Sequence, residues 1–202
     1  MIDDRVLGLL IFVLLAVLVV VKQVATGRIL DRPEGSLLVQ LVNVYNLVFL
    51  LVVNPLAGVL LLTGRLAAVD PSRVAVREPW LGTTVQIVGL AVYVVGFAVM
   101  AWALITLRRG YQLGGLAPRA DDHLVTTGPY SLVRHPMYAS VLLISFGLAC
   151  LTQSSIGLGL FGVYLVLIHP LMRIEETRLQ NAYGESYSAY RRGTRRLIPF
   201  VY

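Results

Sequence analysis

The chain has 202 residues, of which 57% are hydrophobic and 14% charged, with a net charge of +6. Because soluble domains carry about 25% charged residues, this composition excludes a water-soluble globule, and the high apolar content also excludes a disordered chain. The single cysteine, Cys150, excludes a disulfide scaffold. The composition therefore predicts an integral membrane protein.

Five apolar stretches without charged residues predict five membrane-spanning helices, since a helix needs roughly 20 residues to cross a bilayer. They are residues 6–21, 37–62, 81–107, 137–151 and 156–172. The four polar residues between the last two stretches allow only an antiparallel helical hairpin. We therefore expect an all-α polytopic membrane fold with five transmembrane helices, the last two forming a tight hairpin.

The basic residues predict how the chain is oriented. With the N-terminus outside, 13 of the 17 lysine and arginine residues fall on the cytoplasmic side, as basic loop residues usually do. This placement explains the basicity without a nucleic-acid partner. The acidic start of the chain, Asp3-Asp4, argues against a cleaved signal peptide. The excess of arginine over lysine, 16 to 1, suggests a GC-rich genome and thus a bacterial plasma membrane.

The pattern divides the chain into two parts. Residues 1–107 hold the first three helices. Residues 108–202 comprise a cytoplasmic connector (108–136), the helical hairpin (137–172) and a cytoplasmic tail (173–202). The chemically unusual residues lie in the connector and the tail.

The end of the connector contains a predicted helix start. Gly128-Pro129 marks a turn, and Pro136 suits the first position of a helix, with His135 as the N-cap. Free N–H groups at a helix start can bind a carboxylate or phosphate. Alternatively, Arg134 and His135 only anchor the helix in the headgroup layer.

The tail begins with an acidic pair, Glu175-Glu176. Because the hairpin returns the chain to the same side of the bilayer, we expect this pair to lie beside Arg134-His135. Two carboxylates near a membrane are costly unless cations or donors meet them. A salt bridge to a nearby arginine would satisfy them, and so would the ammonium or hydroxyl donors of a ligand.

Several chemistries lack their sequence signatures here. The chain has no nucleophile elbow, no phosphate-binding glycine loop and no cluster spaced for zinc. Cys150 lies deep in a predicted span, where packing is a better explanation than nucleophilic catalysis. Group transfer from a charged, diffusible cofactor, driven by positioning, fits best.

Other polar residues allow two interpretations each. Asn43 and Asn46 share one helix face and either bond a neighbouring helix or line a substrate tunnel. Tyr183, Tyr187 and Tyr190 have helical spacing and either anchor the tail at the membrane surface or close over a cofactor. We expect four tail arginines to bind anionic headgroups, namely Arg191, Arg192, Arg195 and Arg196.

Three blocks of sequence together resemble one known family. They are Gly128-Pro129-Tyr130 to Arg134-His135-Pro136-Met137-Tyr138, then Glu175-Glu176, then Tyr183-Gly184-Glu185-x-Tyr187-x-x-Tyr190. This arrangement, within residues 120–202, resembles the isoprenylcysteine carboxyl methyltransferase and phospholipid methyltransferase family. The resemblance implies an S-adenosylmethionine-dependent methyltransferase whose cofactor enters from the cytoplasm and whose lipid-linked acceptor arrives through the bilayer.

The resemblance also implies a set of cofactor-binding residues. They are Asp122, His123, Leu124, Val125, Tyr130, His135, Pro136, Met137, Tyr138, Glu175 and Glu176. In this set Leu124 and Val125 would line an adenine pocket, and the helix start would receive the methionyl carboxylate. Glu175 would accept hydrogen bonds from the amino group or the ribose hydroxyls of the cofactor. Tyr130 and Tyr138 would lie against its sulfonium.

The chain departs from the family at two positions. Relatives often carry a substrate-orienting arginine one turn before the acidic pair, where this chain has Leu171. We therefore assign that catalytic role to Arg173 and Arg134. A polar family position falls on Gly115, onto which we carry no role. The acceptor stays open between carboxylate O-methylation and phospholipid-type N-methylation.

Two other functions share these sequence features. NAD(P)H-dependent sterol-type reductases have a similar Arg-His-x-x-Tyr helix start and a similar tail. They usually carry asparagine where this chain has Met137, and they lack the Glu175-Glu176 pair. The third possibility is a non-catalytic membrane scaffold or lipid-binding protein, in which these residues only anchor the helix ends.

Overall fold

The computed structural model describes residues 2–30, 35–73, 78–112, 114–118 and 122–199. Three arginines counted for the orientation, Arg32, Arg77 and Arg119, lie outside these ranges. Within them the chain is helical and forms no named strand. The helices are α1 (Asp4–Thr26), α2 (Leu37–Val48), α3 (Asn54–Leu62), α4 (Leu66–Val69), α5 (Pro79–Leu107), α6 (Pro136–Thr152) and α7 (Ser155–Gly193).

Four helical segments are long and apolar enough to cross a membrane. They are α1, the continuous segment Leu37–Leu62, the segment Trp80–Leu107 of α5, and α7. The fifth predicted span is α6, an apolar helix of 17 residues. The structure thus confirms the all-α polytopic membrane fold, and the protein is an integral membrane protein.

The hairpin between α6 and α7 is as tight as predicted. Gln153 ends α6 in the left-handed conformation, with φ 53°. Ser154 then caps α7, its side chain accepting a hydrogen bond from the N–H of Gly157 at 2.9 Å. These two residues reverse the chain and return α7 to the level at which α6 begins.

Helix α7 extends well past the predicted end of the last span at residue 172. It has 39 residues and is interrupted by non-helical backbone at Gly184 (φ 51°, ψ −122°). A helix of that length measures about 58 Å at 1.5 Å per residue, whereas the hydrocarbon core is about 30 Å thick. The apolar stretch 155–172 alone is about long enough to cross that core. The remainder carries the acidic pair and the tail tyrosines.

Glycines bring α5 and α6 into close contact. A Cβ added to Gly89 would lie 2.6 Å from the Cβ of Cys150, and one added to Gly147 would lie 2.6 Å from the backbone nitrogen of Tyr93. Neither position has room for a side chain. The contact buries Tyr93 completely, and its hydroxyl donates to Asn54 Oδ1 at 2.7 Å. Cys150 therefore has the packing role expected of it.

The first two spans complete the wall around the hairpin. Helix α1 packs against α3 and α5, and α2 packs against α7. Between α2 and α3 the chain forms a π-helical segment, Phe49–Val53, and Asn54 Nδ2 donates back to the carbonyl of Phe49 at 2.8 Å. The space left among α1, α2, α5 and α6 forms a cavity that reaches the start of α6.

Candidate active site between two cavities

Two cavities meet at the start of α6. The membrane cavity, of about 190 Å³, lies among α1, α2, α5 and α6, and its walls include Leu15, Leu18, Asn46, Leu50, Met100 and Leu104. The connector cavity, of about 520 Å³, lies beyond the helix ends, and its walls include Arg108, Gly115, Asp122, Leu124, Val125 and Tyr183. Six residues line both, namely Leu107, Gln112, Gly114, Tyr130, Arg134 and Glu175.

Glu175 is the carboxylate at this junction. Its Oε2 accepts from the hydroxyl of Tyr138 at 2.6 Å and from the N–H of Gly115 at 3.2 Å. His135 Nδ1 lies 4.0 Å from Oε1. The Glu175 side chain remains 25% exposed. A carboxylate can accept about four hydrogen bonds, so Glu175 has acceptor capacity left for a ligand.

Gly115 is a site residue that sequence reasoning missed. Its φ of +77° favours glycine, and a Cβ there would lie 2.6 Å from Leu171 Cδ1. Its N–H bonds Glu175, and its carbonyl accepts from Arg178. The contribution comes from the backbone, so residue type alone did not reveal it. The Gly114-Gly115 pair was the available signal.

Glu176 has the opposite environment from its neighbour. It lines neither cavity, and its side chain is only 6% exposed. Arg196 Nη2 donates to Oε2 at 2.8 Å, and Arg134 Nε donates to Oε1 at 3.0 Å. Burial alone would raise the pKa of Glu176. Hydrogen bonds from His135 and Arg196, together with the charge of Arg134, nevertheless hold this pKa well below its usual range. Of the two partners considered for the acidic pair, arginines and a ligand, Glu176 therefore has the arginines.

The end of the tail fastens the start of α6. The N–H of Arg134 donates to the carbonyl of Arg195 at 2.7 Å, and the N–H of His135 donates to the carbonyl of Arg196 at 3.0 Å. The helix begins with Pro136 directly after the N-cap His135, as predicted. For Arg196, the expected role of binding headgroups is wrong, because its guanidinium is paired with Glu176 inside the protein.

The predicted cofactor residues divide between the two cavities. Asp122, His123, Leu124 and Val125 line the connector cavity. His135, Pro136, Met137 and Tyr138 line the membrane cavity. Tyr130 and Glu175 line both, and Glu176 lines neither. Of the predicted catalytic arginines, Arg134 lines both cavities, whereas Arg173 is exposed on α7 and lines neither.

The tail tyrosines face inward. Tyr183 and Tyr190 line the connector cavity, and the Tyr190 hydroxyl donates to the carbonyl of Tyr130 at 2.7 Å. Tyr187 is completely buried. Burial, followed by the charge of Glu175, raises the pKa of Tyr130 well above its usual value. This geometry favours tyrosines that close a cavity over those that anchor the tail in a bilayer.

Residues 84–186, half of the chain, match the family model described as phospholipid methyltransferase. The chain belongs to the phospholipid methyltransferase family.

Individual relatives resemble parts of the chain. A cobalt-zinc-cadmium resistance protein of Cupriavidus metallidurans is 32% identical over 121 residues, which are 59% of this chain and 53% of that protein. A probable protein-S-isoprenylcysteine O-methyltransferase of Oryza sativa subsp. indica is 26% identical over 127 residues, which are 62% of this chain and 65% of that protein. The chain thus matches about half of the first relative's length and less than two-thirds of the second's.

A solved structure shares the fold. It is a eukaryotic intramembrane Ras methyltransferase, isoprenylcysteine carboxyl methyltransferase, which superposes with a TM-score of 0.55 at 20% sequence identity. The superposition covers 80% of this chain and 74% of that one.

Proposed function

We propose that this protein transfers a methyl group from S-adenosylmethionine to a lipid-linked or amphiphilic acceptor held in the membrane. The observation that carries the proposal is the junction of two cavities with different walls. One is lined mainly by aliphatic side chains among the spans, and the other lies at the span ends, where charged residues such as Arg108 and Asp122 line it together with apolar ones. Glu175 lines both. A transferase that joins a polar cofactor to an apolar acceptor needs this arrangement.

The connector cavity fits the cofactor by size and chemistry. Its volume of about 520 Å³ lies within the usual range for ligand sites. Leu124 and Val125 offer apolar surface for an adenine ring, while Glu175 and Asp122 offer carboxylates to ammonium and hydroxyl donors. Tyr130 offers an aromatic face to a sulfonium. When bound, S-adenosylmethionine supplies the electrophilic methyl group.

The membrane cavity suits the apolar part of the acceptor. Holding the acceptor's head at the Glu175 end of this cavity would place it beside the cofactor, and positioning of this kind can account for much of a rate enhancement. Arg134, which lines both cavities, is our candidate for orienting the acceptor. We omit Arg173 because it lines neither cavity. Both carboxylate O-methylation and N-methylation are compatible with this geometry.

The division of the chain and its placement in a cell are also proposals. The family match begins within α5, which packs along α6, so we place the start of the methyltransferase core in α5. The charge asymmetry supports an outside N-terminus and a cytoplasmic C-terminus. That orientation opens the connector cavity to the cytoplasm, and we propose a bacterial plasma membrane. The family match gives the reductase alternative no support.

Methyl transfer can be tested with the purified protein in lipid nanodiscs. A bacterial lipid extract and S-adenosylmethionine with a radiolabelled methyl group are added, and label in the organic phase is counted. We expect label above the protein-free background, and loss of most of it in Glu175→Gln. The control is Glu185→Gln, since that side chain is 82% exposed. The proposal would be contradicted if the wild-type protein, tested with several lipid extracts, gave no more label than the protein-free background.

A further inference from the structure

The proposed cofactor carries a carboxylate that needs a partner in the connector cavity. S-adenosylmethionine ends in an α-amino acid, so an ammonium and a carboxylate are attached to the same carbon atom. Glu175 and Asp122 suit the ammonium, whereas the carboxylate requires cationic or N–H donors. The family resemblance places this carboxylate at the start of α6.

The start of α6 is poorly placed for that carboxylate. The N–H groups of Arg134 and His135 already donate to carbonyls of the tail, and Pro136 has no N–H. Residues 135–138 line the membrane cavity and not the connector cavity. A ligand in the connector cavity therefore needs a different donor for its carboxylate.

Among the described residues, two arginines line the connector cavity, and they differ in their partners. Arg134 donates through Nε to Glu176 at 3.0 Å, and its side chain is only 9% exposed. Arg108 is exposed, and within the described part of the chain its guanidinium makes no hydrogen bond or ion pair. The charge of Arg134 is thus balanced inside the protein, whereas that of Arg108 is available to a ligand.

The backbone at Arg108 has an unusual conformation for an arginine. Its φ of 50° and ψ of −131° lie in a region that residues with a Cβ rarely adopt. Hydrogen bonds hold the backbone on both sides, since its N–H donates to the carbonyl of Leu104 and its carbonyl accepts from the N–H of Tyr111 at 3.1 Å. Glycine would form this turn more easily, so the turn itself does not require an arginine. Residues in such conformations cluster at ligand sites.

We propose that Arg108 binds the carboxylate of the cofactor's amino-acid group in the connector cavity. A guanidinium presents paired N–H donors that match the two oxygens of a carboxylate. Together with Glu175 and Asp122, which line the same cavity, it would recognise both charges of an α-amino acid. The inference rests on the proposed function for the identity of the ligand.

The test compares two ligands that differ in the carboxylate alone. In decarboxylated S-adenosylmethionine a hydrogen atom replaces this group. Each ligand is titrated calorimetrically into the full chain in phosphatidylcholine nanodiscs. The wild-type protein should bind S-adenosylmethionine about tenfold more tightly than the decarboxylated form. Because Arg108 is exposed to water, this is the lower end of what a hydrogen bond between charged groups contributes.

Three variants assign the preference to one side chain. Arg108→Gln should bind S-adenosylmethionine about tenfold more weakly and the decarboxylated form within about twofold of the wild type, so that the ratio approaches one. Arg108→Lys keeps the charge but not the paired donors and should retain part of the preference. Arg65→Gln is the control, because Arg65 is exposed and lines neither cavity, and it should keep the wild-type ratio.

Thermal unfolding without ligand gives a second measurement. Arg108→Gly relieves the backbone conformation, so it should unfold at the wild-type temperature or above while binding S-adenosylmethionine as weakly as Arg108→Gln. If both variants were instead destabilised and lost affinity for the two ligands to the same extent, Arg108 would serve the fold and not the carboxylate, and the inference would be wrong.

The inference is also overturned if the wild-type protein binds the two ligands equally. The same holds if Arg108→Gln keeps the preference, as it would if Arg108 contacted only lipid headgroups. Both results leave the proposed function in place, because the cofactor is still bound. Absence of heat with either ligand contradicts the proposed function itself, and the role of Arg108 falls with it.

Discussion

The membrane cavity and the connector cavity share six lining residues but are built in different ways. Apolar helix faces form most of the first, whereas irregular connector backbone and the part of α7 beyond the apolar stretch form the second. Non-helical backbone close to a membrane must have its polar groups satisfied by the protein or by water. Here Asn43 bonds the carbonyl of Gly114, and Glu175 bonds the N–H of Gly115. The same contacts that satisfy the connector also form the shared wall.

The acidic pair shows this difference within one dipeptide. Adjacent residues on a helix point about 100° apart, so Glu175 lines the two cavities while Glu176 points into the pairs with Arg134 and Arg196. One carboxylate is available to a ligand, and the other fastens the tail to the start of α6. Five substitutions separate these roles and those of the two cavities.

Glu176→Gln should have the largest effect on stability, because it removes the ion pairs that hold the tail against the start of α6. Removing the charge leaves Arg134 and Arg196 partly buried without their counterion, which costs about 3 kcal/mol in similar buried pairs. The free energy of unfolding, measured with denaturant in mild detergent, should fall by that amount. Glu185→Gln breaks an exposed ion pair with Arg192. It should change the free energy of unfolding by less than about 0.5 kcal/mol. Equal effects of the two substitutions would refute the structural role of Glu176.

Gly115→Ala should displace the backbone that bonds Glu175, without removing a charge. The added Cβ would meet Leu171 at 2.6 Å in a backbone conformation with φ +77°, at a cost of about 1–2 kcal/mol. Displacement of its N–H from Glu175 should also weaken S-adenosylmethionine binding about tenfold in calorimetry. Gly193→Ala, where a Cβ meets nothing within 4 Å, is the control. Unchanged stability and unchanged cofactor affinity in Gly115→Ala would contradict a role for Gly115 in positioning Glu175.

A pair of tryptophan substitutions should separate the cavities. Leu50→Trp fills the membrane cavity and should lower methyl incorporation into lipid about tenfold, a typical penalty for steric change in an apolar pocket, with the cofactor dissociation constant within about twofold. Leu124→Trp fills the connector cavity and should weaken cofactor binding about tenfold. If both variants affected both measurements equally, the two cavities would have to serve one ligand.

Tyr190→Phe should have the smallest effect. It removes the 2.7 Å hydrogen bond to the carbonyl of Tyr130 but keeps the ring in the connector cavity. A single neutral hydrogen bond contributes about 1 kcal/mol at most sites, so cofactor affinity should fall about two- to fivefold by calorimetry. A loss above about 50-fold would mean that the hydroxyl does more than hold the tail over Tyr130.

Much of the fold could be predicted from hydropathy because each span is a continuous apolar run. The short polar turn also predicted the hairpin, and the hairpin predicted that Arg134 and Glu176 would meet; their contact at 3.0 Å confirms this. The sequence did not predict the end of α7, because the apolar run stops before Arg173 whereas the helix continues to Gly193.

The site could be predicted only in part. Residues with a chemical signature, such as Glu175, could be placed near the helix start. Arg196 could not, because it follows the backbone break at Gly184 and reaches Glu176 through tertiary structure. Gly115 contributes a backbone N–H, which residue type does not reveal. The sequence left two interpretations for Asn43 and Asn46: both line the membrane cavity, and Asn43 also bonds the carbonyl of Gly114.

The most direct test of the central claim is calorimetric titration of the detergent-purified protein with S-adenosylmethionine and, separately, with NADPH. We expect binding heat with S-adenosylmethionine and none with NADPH. In Glu175→Ala the cofactor affinity should fall about 10- to 100-fold, as loss of charge-assisted hydrogen bonds predicts, while Glu185→Ala should bind like the wild type. No heat with S-adenosylmethionine, or unchanged affinity in Glu175→Ala, would contradict the account.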